Sequence, residues 1–176
     1  MAAAACPNSA CDNPIVGCEF EAGRCSKCEE EITNEFHQKF QEVIELTDLH
    51  LQNMKDLAYL DACQICLEKQ KGLFHKFNIK YVKTLDLAFE SSIDFGKFED
   101  AKKFGFHLIE PFHKYYGKFH PLTGLLHLKL GKILSYLEDT NEGRNQVKLA
   151  YEILKVTHGV QSEIFREQLM PLLRPN

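Results

Sequence analysis

The sequence predicts an all-α fold of antiparallel helical hairpins stacked on one another, preceded by a small cysteine-rich loop. Three observations predict it. After Thr33, apolar residues recur at helical spacing through most of the chain. Residues 78–159 read as two copies of one hairpin, the first marked by Phe89, Gly96, Phe98, Ala101 and Leu108 and the second by Gly131, Gly143, Val147 and Ala150. Aligning Ala101 with Gly143 and Leu108 with Ala150 gives the same offset of 42 residues both times. Finally, Cys6, Cys11, Cys18, Cys25 and Cys28 crowd into a segment with little hydrophobic periodicity.

Two stacked helices approach closely only where a small residue faces a large one, which is the use expected of Ala101 and Gly143. Repetition of such a pair makes a tetratricopeptide-like array; its usual period is about 34 residues, so the helices here are predicted to be roughly a turn longer. The domain boundaries predicted are 1–32 for the cysteine-rich segment and 33–176 for the helical array.

Composition narrows the function. At 176 residues, with 44% hydrophobic residues and 13 Phe, the chain can build a real core. Its net charge of -4 and scattered Lys and Arg argue against nucleic acid as a partner, because phosphate binding needs concentrated positive charge. No apolar run approaches the roughly 18 residues of a membrane span, and Met-Ala-Ala-Ala-Ala is too short and uncharged for a signal peptide. An intracellular protein, cytoplasmic or nuclear, is expected. Seven cysteines, an odd number, fit metal binding in a reducing compartment better than a disulfide framework.

The segment from 6 to 28, with Pro7, Pro14, Gly17 and Gly23 among its cysteines, is expected to lack the apolar surface to fold by burial alone. A thiolate-bound zinc would supply the cohesion, because a tetrahedral ion takes two pairs of ligands from two short turns. Cys25-Ser-Lys-Cys28 is a well-formed pair, in which Lys27 is expected to offset thiolate charge. Cys6-Pro-Asn-Ser-Ala-Cys11 is the second pair, with a wider gap. Cys18 is the spare, and replaces Cys6 if the N-terminus frays.

Thr33 is placed to cap the first long helix, whose inward face carries Phe36, Phe40, Val43, Ile44, Thr47, Leu51 and Met54. Residues 34–73 are expected to form two helices broken near Asn53 to Leu57. Cys63 and Cys66 lie on one side of the second and read as small core filler. Asn78 caps the next helix, and Gly96 stops it in the left-handed conformation. Its partner begins at Phe98, with Pro111 expected to kink or shorten it. Pro121 suits the first turn of the most apolar helix, which carries Leu122, Leu125, Leu126, Leu130, Ile133, Leu134 and Leu137 and should be central. Thr140 or Asn141 should cap the helix of Val147, Ala150, Tyr151 and Leu154, which Gly159 ends. A last helix over Gln161–Leu172 covers the open end.

Cys25-x-x-Cys28 after a cysteine-rich loop, followed by Leu130-Gly131-Lys132 and Val156-Thr157-His158-Gly159, resembles the C-terminal part of the SET-and-MYND-domain protein lysine methyltransferases. The spacing of Gly96, Ile109-Glu110-Pro111 and Thr157-His158-Gly159 also resembles that family, so the likeness extends over most of the chain. It implies a post-SET zinc region and a tetratricopeptide-like domain that walls one side of a substrate cleft. The family's catalytic core and its MYND zinc module lie upstream of the post-SET cysteines. This chain begins almost at those cysteines and has no Asn-His-Ser-Cys motif and no glycine-rich loop for S-adenosylmethionine. Two arrangements remain open: Cys6, Cys11, Cys25 and Cys28 make a self-contained site, or one ligand comes from a SET core. That cofactor is expected only if a SET core lies upstream, and the chain by itself is predicted to be inactive.

Two functions follow. One is the zinc-binding and helical portion of a lysine methyltransferase, shaping access of a protein substrate. The other is a stand-alone interaction module whose groove takes a partner peptide. Asp86 and Glu90, at positions where chaperone-binding arrays carry a Lys and Asn clamp, would repel a carboxylate terminus.

Overall fold

A computed structural model describes residues 2–52 and 59–173. Its elements are helices α1 (Gly17–Ala22), α2 (Asn34–Gln52), α3 (Tyr59–Gln70), α4 (Ile79–Asp94), α5 (Phe98–Tyr115), α6 (Pro121–Tyr136), α7 (Thr140–Thr157) and α8 (Met170–Leu173), with a π-helical turn at Ile164–Leu169. There is no strand among the described residues, only isolated bridges. The expected break near Asn53 to Leu57, and Met54 with it, fall outside the described residues. The chain divides into two compact units, residues 1–91 and 92–176, and α4 runs from the first into the second.

In the first unit, Thr33 caps α2 through Oγ1, which accepts the Phe36 amide at 3.1 Å. Helix α2 packs on α3 and buries Phe40, Val43 and Thr47. Asn78 does two things: Oδ1 accepts the Lys80 amide at 2.9 Å and caps α4, while Nδ2 donates to the Ala3 carbonyl at 2.9 Å. That carbonyl also accepts the His75 amide, and Ala4 bridges to both Ile15 and Phe74. The cysteine-rich segment therefore does bury apolar surface, against the sequence expectation. Ala4, Ile15, Cys25 and Ile32 share one core with Phe40, Val43, Leu73 and Phe74. Backbone pairing with residues 73–75, distant in sequence, is what carries these few apolar residues inward.

In the second unit, successive helices turn back on one another. Phe98 lies against Tyr136 with ring centroids 4.5 Å apart, Lys102 pairs with Asp139 at 2.8 Å, and the rings of His113 and His127 are 5.8 Å apart, so α5 and α6 are antiparallel. Pro121 occupies the first turn of α6, and α6 is buried on nearly every side, from Thr123 to Leu134. Helix α5 runs on past Pro111 to Tyr115.

Helices α6 and α7 meet most closely, through glycine. A Cβ placed on Gly131 would lie 2.6 Å from Val147 Cγ2; one on Gly124 would lie 2.8 Å from Leu154 Cδ2; one on Gly143 would lie 3.3 Å from Leu134 Cβ. The reversed order of these partners fixes this pair as antiparallel too. Gly143 thus faces the helix that carries Gly131, as the hairpin register requires. The cap of α7 differs from expectation: the helix starts at Thr140 with Asp139 as the flanking residue and no side-chain cap. The Asp139 carboxylate is instead drawn to Lys102. Gly96 and Gly159, at φ +68° and +79°, end α4 and α7. The π-helical turn and α8 pack on α7 through Phe165 and Leu169, covering that end of the stack.

Candidate metal centre

Two turns bring four sulfurs together. In the first, the Ala4–Ile15 bridge fixes the chain beside Cys6, and the Asn8 carbonyl accepts the Cys11 amide at 2.9 Å, turning the chain so that Cys11 returns toward Cys6. Gly23, at φ +67°, ends α1 and leads into the second turn. There the Cys25 amide donates to the Glu30 carbonyl at 2.9 Å, the Glu29 amide to the Cys25 carbonyl at 3.0 Å, and the Ile32 amide to the Gly23 carbonyl at 2.9 Å.

Sγ of Cys6 lies 3.5 Å from that of Cys28, Sγ of Cys11 lies 3.9 Å from that of Cys25, and all four sulfurs lie within 4.8 Å of one another. A tetrahedron with metal–sulfur arms of about 2.3 Å has edges of about 3.8 Å. The arrangement has the size and donor chemistry of a four-thiolate zinc site. It is not a pair of disulfides, whose sulfurs sit about 2.05 Å apart, and all four thiols are free.

Backbone amides aim at the sulfurs in a repeated pattern. The Asn8 amide donates to Cys6, that of Asn13 to Cys11, and those of Cys28 and Lys27 to Cys25. Burial disfavours the Cys25 thiolate, but these donors outweigh it and bring the pKa down to about 6. Burial dominates at Cys6 and pushes its thiol far up. The Asn13 amide favours the Cys11 thiolate, yet burial and the neighbouring Cys28 leave that thiol raised. A dication bound among the four sulfurs would displace the protons their thiols retain.

Lys27 behaves differently from the sequence expectation. It pairs first with the Asp12 carboxylate, which raises the lysine and lowers Asp12, and its attraction to Cys11 and Cys25 is secondary. Cys18 is exposed on α1 and outside the cluster. Cys63 and Cys66 are buried in α3; burial pushes Cys63 up to about 12. Among the described residues no other group of His, Cys, Asp or Glu has metal-binding geometry.

One residue that sequence reasoning missed stands beside the sulfurs. Glu19 on α1 is only 7% exposed. Its Oε2 accepts the Val16 amide at 3.0 Å, while Oε1 accepts Asn13 Nδ2 at 2.6 Å and both the amide and the hydroxyl of Ser26 at 3.2 and 2.5 Å. Burial opposes its ionisation, but these donors hold the carboxyl below the ordinary carboxylate value. The signal in the sequence was Val16-x-x-Glu19, the three-residue spacing by which a glutamate reaches back to the amide at a helix start.

No family model matches the sequence. Relatives do. The histone-lysine N-methyltransferase SMYD3 of Mus musculus is 25% identical over 144 residues, which cover 82% of this chain and 33% of that protein. SMYD3 of Homo sapiens is 26% identical over 113 residues, 64% of this chain and 26% of that protein. The N-lysine methyltransferase SMYD2-A of Xenopus laevis is 27% identical over 100 residues, 57% of this chain and 23% of that protein. The homologues are SET-and-MYND methyltransferases, and the chain spans about a third or less of their length.

Proposed function

We propose that this chain is the zinc-binding and helical region that follows the catalytic core in a SET-and-MYND type lysine methyltransferase. Cys6, Cys11, Cys25 and Cys28 hold one zinc, and the stack of α5 to α7 borders the path by which a protein substrate reaches that core. The observation that carries the reading is a set of four thiols within 4.8 Å of one another in an all-α chain whose relatives are lysine methyltransferases. Methyl transfer needs a pocket that holds S-adenosylmethionine in line with a lysine amine, so its rate rests on positioning. In this reading that pocket belongs to the SET core, and the present residues shape access to it in the cytoplasm or nucleus.

Native mass spectrometry tests the metal. The parent chain should carry one zinc, and Cys25→Ser or Cys28→Ser should lose it; a chain that stays metal-free after reconstitution would refute the site. Methylation assays with labelled cofactor test the division of labour. The isolated chain should give no turnover and no saturable cofactor binding by calorimetry, whereas a catalytic half added in trans should gain activity from it. Turnover by the chain alone, abolished by a substitution within it, would overturn the proposal.

A further inference from the structure

Resting on the zinc reading, we infer that Asn13 and Glu19 are positioning residues for the metal: the Asn13 side-chain amide delivers an N–H to the Cys25 sulfur, and the Glu19 carboxylate holds it there. Asn13 Nδ2 has two hydrogens. It lies 2.6 Å from Glu19 Oε1 and 3.5 Å from Cys25 Sγ, with Ser26 Oγ at 3.3 Å. Cys25 is thereby the one sulfur of the four to which a side-chain amide donates in addition to the backbone amides of the turns, among the described residues.

The carboxylate does not touch a sulfur. It could only repel an anionic four-thiolate centre by direct Coulomb interaction, so a bare electrostatic role would be unfavourable. Its work is done through its donors. Glu19 collects groups from the loop after Cys11 (Asn13), the start of α1 (Val16) and the turn between Cys25 and Cys28 (Ser26). It joins the two cysteine turns independently of any metal, and it is itself largely buried. Such partners of ligating groups set ligand orientation and commonly change metal affinity by about 10–100-fold.

The test uses the full chain loaded with zinc or cobalt, with the metal alone as probe. Asn13→Ala removes the N–H and Asn13→Asp replaces it with a repelling carboxylate at constant size. Glu19→Gln keeps the shape and loses the charge that holds Asn13. All three should weaken zinc in chelator competition by about 10-fold or more, with Asn13→Asp the worst. In the cobalt form, loss of an N–H to sulfur raises the energy of its lone pair, so the sulfur-to-cobalt charge-transfer band of Asn13→Ala should move to longer wavelength. A purely structural role would lower the unfolding midpoint and leave that band in place. Parent and variants binding zinc within twofold of each other, with the band unmoved, would overturn the positioning role and leave the zinc site standing. A parent chain that binds neither metal would overturn both.

Discussion

Replacing Gly131 by alanine adds one methyl at the closest helix–helix contact of the second unit, and the geometry sets the result. The new Cβ would lie 2.6 Å from Val147 Cγ2, 3.3 Å from the Val147 backbone nitrogen and 3.5 Å from the Gly143 carbonyl. Carbon atoms pack at about 3.5–4.0 Å, so the overlap with Cγ2 approaches 1 Å. Val147 is 2% exposed, and a β-branched side chain in a helix has one strongly preferred rotamer, so it cannot swing aside. The helices must separate. Overpacking of this kind costs about 1–3 kcal/mol, and the upper end applies because the next obstacle is backbone. Alanine recovers about 1 kcal/mol of helix propensity, leaving a net loss of about 2 kcal/mol. For a chain of this size that lowers the thermal midpoint by roughly 4–8 °C. The double variant with Val147→Ala should recover part of the loss, with a coupling of about 1 kcal/mol or more measured by urea unfolding. A midpoint that rises on Gly131→Ala, or a strictly additive cycle, would show that α6 and α7 do not approach as described. Gly143 provides the contrast. An added Cβ there meets Leu134 Cβ and Ser135 Oγ at 3.3 Å, a tight contact but well short of the clash at Gly131, so Gly143→Ala should cost less than Gly131→Ala. Gly143→Leu should cost roughly 2 kcal/mol or more.

Three further outcomes are expected. Burial holds His127 below its ordinary value of 6.5, with His113 adding to the effect and the hydrogen bond to Gln146 opposing it. The unfolded chain therefore takes up the proton first. Stability from this group is full above its ordinary value and is lost as pH falls toward the depressed folded value, and His127→Gln should flatten the slope of stability against pH below about pH 6.5. Glu29, directly after Cys28, sits at φ +61°, a conformation that costs an ordinary residue about 1–2 kcal/mol. Glu29→Gly should stabilise the zinc-loaded chain by about 0.5–1 kcal/mol, read as a raised thermal midpoint, and a lowered midpoint would contradict the strain. Chelation should loosen the core shared by Ile15, Cys25, Ile32 and Phe40, seen as faster amide exchange in α2. The amides of α6 and α7 should keep their protection; equal loss in both units would refute a local effect.

What the sequence disclosed divides by range. The stops and starts at Thr33, Asn78, Gly96, Pro121 and Gly159 were legible because each rests on a side chain or a φ angle acting on its immediate neighbours. Each cysteine pair was legible for the same reason, since it lies within one short turn, but the sulfur contacts that join the pairs, Cys6 with Cys28 and Cys11 with Cys25, span 22 and 14 residues. The cap of α7 was placed too late, at Thr140 or Asn141, whereas the flanking residue is Asp139, whose carboxylate answers to Lys102, 37 residues away. Burial of the leader was missed because Ala4 depends on Phe74, and Glu19 because two of its partners, Asn13 and Ser26, lie outside the Val16-x-x-Glu19 spacing of the helix start. Local chemistry shows in a sequence; pairings across it show only once the chain has folded.

The two hydrogen bonds made by the Asn78 side chain, to the start of α4 and to the Ala3 carbonyl, have a kinetic consequence. The sulfur cluster closes a span of 22 residues between Cys6 and Cys28, whereas the Asn78–Ala3 contact closes one of 75. Loop-closure entropy makes the longer span harder to close by about 1 kcal/mol. On the ribosome the cysteine turns can gather as soon as Cys28 has emerged. The first unit cannot lock until Asn78 follows, 50 residues after Cys28 in the sequence. During that interval Ile15, Phe40 and their neighbours have no finished core to enter. A nascent chain halted just short of Asn78 should therefore hold its thiols together yet leave this apolar surface open to chaperones, and one halted just past α4 should not.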